Sequence, residues 1–144
     1  MTSTPAERTD LLFLCVANSA RSQLAEGLAR KLAPKSTTVH SAGSEPAQLH
    51  PLAVAVLAEV GIDISHHRSK AIREIPTERI ARVITLCAEE VCPIFPGDVE
   101  ILHWPTADPA RVDPGDETDE AALVRFRSAR DAIEIRLRKL FVDS

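Results

Sequence analysis

The chain has 144 residues, with 17 Lys and Arg against 21 Asp and Glu and a formal charge of −4. That length suits one domain, which buries roughly two-thirds of its unfolded surface and needs no disulfide or metal staple. Mild acidity, no Tyr, one Trp and four Phe exclude a nucleic-acid surface built on basic patches or stacking aromatics, and three cysteines, an odd number, argue against a paired extracellular framework.

In chain order, residues 1–9 are polar and read as a frayed lead-in to a single domain spanning 1–144. Leu11 to Leu14 is a short apolar run, as expected of a strand buried on both faces. Its extension to Ala17 is far short of a bilayer span, so neither a membrane segment nor a signal peptide is expected, and the thiols are expected to be reduced in the cytoplasm. Leu24, Ala25, Leu28, Ala29 and Leu32 give a helical stripe that Pro34 stops. Thr37 to Ser41 predicts a second strand, closed by Ala42-Gly43. Pro51 opens a helix with Leu52, Val56, Leu57 and Val60 on its faces and Gly61 past its end. Residues 62–76 are mixed, with a short helix. Arg82 to Leu86 and Val99 to Leu102 predict the third and fourth strands. Two Asp-Pro steps and Gly115 make residues 106–116 loop. Thr118 caps a last helix whose stripe is Leu123, Phe126, Ile133, Leu137 and Leu140.

Strands alternating with helices predict an α/β fold: a four-stranded parallel sheet flanked by helices on both faces. Ligands of such sheets gather at the carboxyl ends of the strands. Cys15, Cys87 and the stretch from His103 to Asp108 should therefore converge on one rim.

Cys15-Val16-Ala17-Asn18-Ser19-Ala20-Arg21-Ser22 lies between a strand end and a helix start. Such a loop can turn its backbone N–H groups inward and, with the helix dipole, form an anion nest. A Cys at its mouth sits in a field that favours the thiolate. Arg21 can clamp two oxygens of a tetrahedral oxyanion in a bidentate fork. Ser22 can donate to the sulfur, and Asn18 tolerates the left-handed backbone a tight loop requires. The Cys-to-Arg spacing alone could arise by accident beside a merely buried Cys. Its setting, after the first apolar strand and before a helix, favours a cradle for an attacking thiolate.

The segment Phe13 to Ala29, FLCVANSARSQLAEGLA, resembles the signature of the low-molecular-weight tyrosine phosphatase superfamily, and most of all its arsenate reductase branch. The resemblance runs from about Leu11 to the last helix. It implies a four-stranded parallel sheet with the first strand central, Cys15 as nucleophile and Arg21 as oxyanion holder.

Two further blocks separate phosphatase from reductase. A phosphatase needs one thiolate, because water finishes its cycle, whereas a thiol-driven reduction takes two electrons from paired thiols. Thr85-Leu86-Cys87 followed by Cys92-Pro93 supplies two more sulfurs. Cys87 read alone is equally an ordinary buried strand-end residue; with Cys92 and the cradle it fits a relay. The block resembles the thioredoxin-coupled arsenate reductases, with a shorter loop of four residues between the two cysteines. The resemblance implies that Cys15 attacks arsenate, Cys87 attacks the Cys15–arsenic adduct, and Cys92 attacks Cys87 to leave a Cys87–Cys92 disulfide for thioredoxin. Glutaredoxin or a small thiol is the alternative donor. Phosphate or sulfate would mimic the substrate.

In His103-Trp104-Pro105-Thr106-Ala107-Asp108-Pro109, Asp108 matches the family's general acid, with Asp113 as a competitor. The chain lacks the Tyr that family phosphatases carry shortly after this Asp-Pro, which favours a small inorganic anion and leaves weak phosphatase activity. Some reductases of the family bind potassium beside the cradle, at positions matching Asn18, Glu26 and Ser41. Arg68 and Lys70 stand where the family supplies Thr and Asp, so no potassium requirement is expected. His66-His67 lacks metal-ligand spacing, and neither a metal nor a cofactor is expected. The alternatives are a phosphatase on the same cradle and a non-enzymatic oxyanion or redox sensor.

Overall fold

A computed structural model describes residues 9–88, 94–112, 115 and 118–143. Among these residues four strands, β1 (Asp10–Cys15), β2 (Val39–Gly43), β3 (Ile80–Thr85) and β4 (Glu100–His103), and the helices α1 (Arg21–Leu32), α2 (Pro51–Ala58) and α3 (Asp119–Asp143) follow one another as β1-α1-β2-α2-β3-β4-α3. The sheet order is β2-β1-β3-β4, and every pair is parallel. β1 is therefore flanked on both edges, which is why all six of its residues are buried and why its sequence carries no polar alternation.

The register sorts side chains by face. Phe13 lies between Ser41 and Ile84, while Leu12 lies between His40 and Val83. Leu11, Phe13, Val39 and Ile84 pack with Leu24 and Leu28 of α1, Val56 and Leu57 of α2, and Phe126, Ile133 and Leu137 of α3. Leu12, Leu14, Ala42 and Val83 form the opposite layer with Ile75, Ile80 and Phe95. Among the described residues the helical cover of the two faces is thus unequal: three α-helices lie on one side, and a 3₁₀ turn over Ile72–Glu74 with the segment around Phe95 lies on the other.

Local signals set the element ends. Thr118 Oγ1 accepts from Ala121 N at 3.1 Å, and Asp119 and Glu120 fill the first turn of α3. α2 stops at Ala58, earlier than Val60, and closes on Gly61 at φ +80 through Ile62 N to Leu57 O at 2.9 Å. β2 sits two residues later than the sequence suggests and ends on Gly43. There a side chain would collide with the cradle, since a Cβ would lie 2.3 Å from Val16 O and 2.9 Å from Asn18 N. Among the described residues no helix is long and apolar enough to cross a membrane.

Candidate active site

Cys15 is the last residue of β1 and α1 begins at Arg21, so residues 16–20 form the turn between them. Asn18 takes the left-handed conformation at φ 50, as its residue type allows. Ala20 at the helix N-cap offers no side-chain bond to the first-turn N–H groups. A helix start left uncapped by its own side chain is suited to an anion.

The sulfur of Cys15 lies 2.9 Å from Ser22 Oγ and accepts from Asn18 N at 3.3 Å. Asn18 Nδ2 donates to Ser22 Oγ at 2.7 Å, which leaves the Ser22 O–H to point at the sulfur. Gln23 Nε2 lies 3.2 Å from Asn18 Oδ1, and Gln23 Oε1 lies 3.1 Å from His67 Nδ1. The donors therefore run in one direction, His67 to Gln23 to Asn18 to Ser22 to Cys15, and each bond polarises the next. Burial pushes the His67 imidazole below its ordinary value, although nearby Glu26 pulls it up.

Arg21 is buried and fixed by backbone. Its Nη1 donates to Thr106 O at 3.0 Å and to Leu86 O at 3.3 Å, and its Nη2 lies 4.0 Å from Asp108 Oδ2. The guanidinium thus ties the ends of β1, β3 and β4 into one rim, where the rule for parallel sheets expects a ligand. Asp108 Oδ1 accepts from Ala110 N at 3.0 Å, a local turn that holds the carboxylate at the rim.

Cys87 follows Leu86, whose N donates to Leu14 O at 2.9 Å, so its backbone continues from β3 beside the strand that ends at Cys15. Cys87 is engaged in a disulfide, whereas Cys15 is a free, buried thiol. Cys92 and Asp113 lie outside the described residues. Sequence reasoning put Cys15, Asn18, Arg21, Ser22 and Asp108 in one place, and they stand together. It missed Gln23 and Ser69, and it named Arg68 and Lys70 only as departures at a potassium position. Ser69 Oγ donates to Asn18 O at 2.8 Å and Lys70 N donates to Asn18 Oδ1 at 2.8 Å. The only sequence signal of Gln23 and Ser69 is polarity, which any surface residue shares.

A family model for low molecular weight phosphotyrosine protein phosphatase matches residues 10–143. The chain belongs to this family. It is 40% identical over 130 residues to the arsenate reductase of Halalkalibacterium halodurans, covering 89% of this chain and 91% of that one. A solved arsenate reductase in the phosphate-binding state is similar at TM-score 0.77 and 32% identity, over 94% of this chain and 98% of that one. The thioredoxin-dependent arsenate reductase Cg_ArsC1' of Corynebacterium glutamicum is similar at TM-score 0.69 and 30% identity, over 97% of this chain and 63% of that one.

Among the described residues, a side-chain cation occupies the place beside Glu26 where the resemblance implies potassium. The Lys70 ammonium stands 3.6 Å from Glu26 Oε1 and donates to Arg68 O at 2.9 Å, and the Arg68 guanidinium turns away to Glu74 at 2.8 Å. A second cation against this ammonium would be repelled.

Proposed function

We propose that this protein is an arsenate reductase that works by a three-cysteine relay and is recharged by thioredoxin. The observation that carries the reading is the division of labour between sulfurs: Cys15 is free beneath a helix start, and neighbouring Cys87 is disulfide-bonded. A phosphatase has no use for an oxidised thiol on the rim of its cradle.

The steps balance as follows. The Cys15 thiolate attacks arsenic(V) of arsenate bound by the N–H groups of residues 16–22 and by Arg21. A sulfur–arsenic bond forms, and an oxygen leaves as water with a proton from Asp108. The Cys87 thiolate then attacks Cys15 Sγ. A Cys15–Cys87 bond forms, the sulfur–arsenic pair goes to arsenic, and arsenite departs. Cys92 attacks Cys87, which frees the Cys15 thiolate and leaves a Cys87–Cys92 disulfide. Thioredoxin returns the two electrons. The Ser22 hydroxyl and Asn18 amide would stabilise Cys15 both as nucleophile and as leaving group. Weak hydrolysis of phosphate esters is expected too, because phosphate shares the shape and charge of arsenate.

The test is arsenite production with thioredoxin, thioredoxin reductase and NADPH. Cys87→Ser should abolish multiple turnover with arsenate and spare phosphate-ester hydrolysis. A variant that reduces arsenate as well as the parent would sink the relay. No arsenite from the parent, with phosphate-ester hydrolysis intact, would leave a phosphatase, and neither activity would leave an oxyanion or redox sensor.

A further inference from the structure

Glu26 is 2% exposed on α1, directly behind the cradle. A buried carboxylate needs charge and hydrogen-bond partners. Arg30 Nη2 lies 2.9 Å from its Oε2, His67 Nδ1 lies 3.6 Å from the same oxygen, and Ser41 Oγ donates to Oε1 at 2.5 Å. The Lys70 ammonium completes the set at 3.6 Å from Oε1. This one residue also makes two other connections. Its Nζ donates to Arg68 O at 2.9 Å, the carbonyl that Gln23 Nε2 also reaches at 2.9 Å, and its backbone N donates to Asn18 Oδ1 at 2.8 Å. Lys70 O then accepts from Gly43 N at 2.9 Å, which fastens the loop to the end of β2.

The ammonium thus sits where a monovalent cation would gather a carboxylate oxygen and a carbonyl oxygen. Unlike an ion, it is covalently joined to the amide that orients Asn18. We propose that Lys70 is a positioning residue for the cradle, its ammonium serving as a built-in monovalent cation that makes the Cys15 site independent of potassium. The link to the sulfur is short: Asn18 Nδ2 reaches Ser22 Oγ, and Ser22 Oγ reaches Cys15 Sγ. Without the cation, Glu26 keeps Ser41, Arg30 and His67, and loop 68–70 keeps Gln23 Nε2 on Arg68 O and Ser69 Oγ on Asn18 O, but the residue whose backbone N holds Asn18 Oδ1 loses its own tie to the helix. The orientation of Asn18 that aligns Ser22 is then held less firmly.

The inference rests on Cys15 as the nucleophile, and its test does not use arsenate turnover. The readouts are the rate of Cys15 alkylation by iodoacetamide, followed on the Cys15 peptide by mass spectrometry, and the affinity for inorganic phosphate by calorimetry. Each is taken in NaCl and in KCl at equal ionic strength. The parent should give the same values in both salts. Lys70→Met should lose about tenfold in both readouts in NaCl, the scale on which outer-layer partners act at ion sites. Lys70→Arg, which keeps the charge, should retain most of both. The double variant Arg68→Thr/Lys70→Asp, which restores oxygen donors, should be weak in NaCl and recover in KCl, a response that loss of packing alone would not produce. Lys70→Met matching the parent would overturn the proposal. So would a parent that responds to potassium. Should Lys70→Met fail to fold, the parent's salt comparison and the double variant decide.

Discussion

Asp108 Oδ2 faces Arg21 Nη2 at 4.0 Å across the rim, with the Arg21 side chain 6% exposed and the Asp108 side chain 40% exposed. The guanidinium proposed as the oxyanion clamp is thus shielded, and the carboxyl proposed as the acid stays open to solvent, as a group that trades protons with water must be.

Asp108→Asn keeps the size and removes the proton. It should lower the rate of the first chemical step by about 10² to 10⁴ fold, the usual worth of a positioned general acid. Phosphate affinity should change little. Single-turnover kinetics and calorimetry on the same variant check both halves, and loss of phosphate binding would mean that Asp108 shapes the cradle instead.

Arg21→Lys preserves the charge but cannot hold Leu86 O, Thr106 O and a tetrahedral anion together. A drop of about 10² fold or more in kcat/KM is expected, comparable to removing an oxyanion donor. A variant within a few fold of the parent would show that charge alone suffices.

Gly43→Ala places a methyl against Val16 O and Asn18 N, both backbone atoms that cannot rotate away. Overpacking of this kind costs about 1–3 kcal/mol. Here the strain falls on the cradle itself, so Cys15 alkylation and phosphate binding should both weaken along with the thermal midpoint. Unchanged alkylation would show that the loop can shift without consequence.

A single turnover with arsenate, quenched with acid and alkylated, should give a Cys15–Cys87 crosslink before a Cys87–Cys92 crosslink by peptide mass spectrometry. Absence of the Cys15–Cys87 pair in a Cys92→Ser background, where it should accumulate, would contradict the order of the relay.

Glu59 lies far from the chemistry, where Arg127 and Arg130 bracket it at 2.6 Å and 2.7 Å. Hydrogen bonds from Arg127 first and Arg130 second, with their charges, lower its carboxyl to about 2 against a little desolvation. The folded value lies below the unfolded one. Its contribution to stability is therefore present above the ordinary carboxylate range near 4.5 and fades as the pH falls toward about 2. Glu59→Gln should lower the thermal midpoint near neutrality by a small amount, because the group is exposed and screened. The gap to the parent should close on acidification. A gap that widened at low pH would reverse the sign of the linkage.

Much of this was legible in the sequence because the physics is local. An unbroken apolar run between polar flanks fits a central strand, and β1 is one. Thr118 capped the helix it preceded, and Asn18 took the one unusual backbone angle in the cradle. The less legible features depend on distance in space. β2 extends to Gly43 because Gly43 has no Cβ to strike Val16, a constraint set by another segment. The resemblance put Glu26, Ser41 and Lys70 at one position beside the cradle, but only the fold shows that Arg30 and His67 meet over the same carboxylate. The unequal cover of the two faces was not legible because a 3₁₀ turn as short as Ile72–Glu74 leaves no helical period to read.

Cys15 ends a strand hydrogen-bonded on both edges, between β2 and β3. Segments so enclosed exchange their amide hydrogens only when the whole molecule opens, whereas a sheet edge such as β4 can open alone. The backbone that aims the Cys15 sulfur at the turn thereby keeps its place for as long as the protein stays folded. Any agent that destabilises the chain globally, even one that never approaches the rim, should blur that aim.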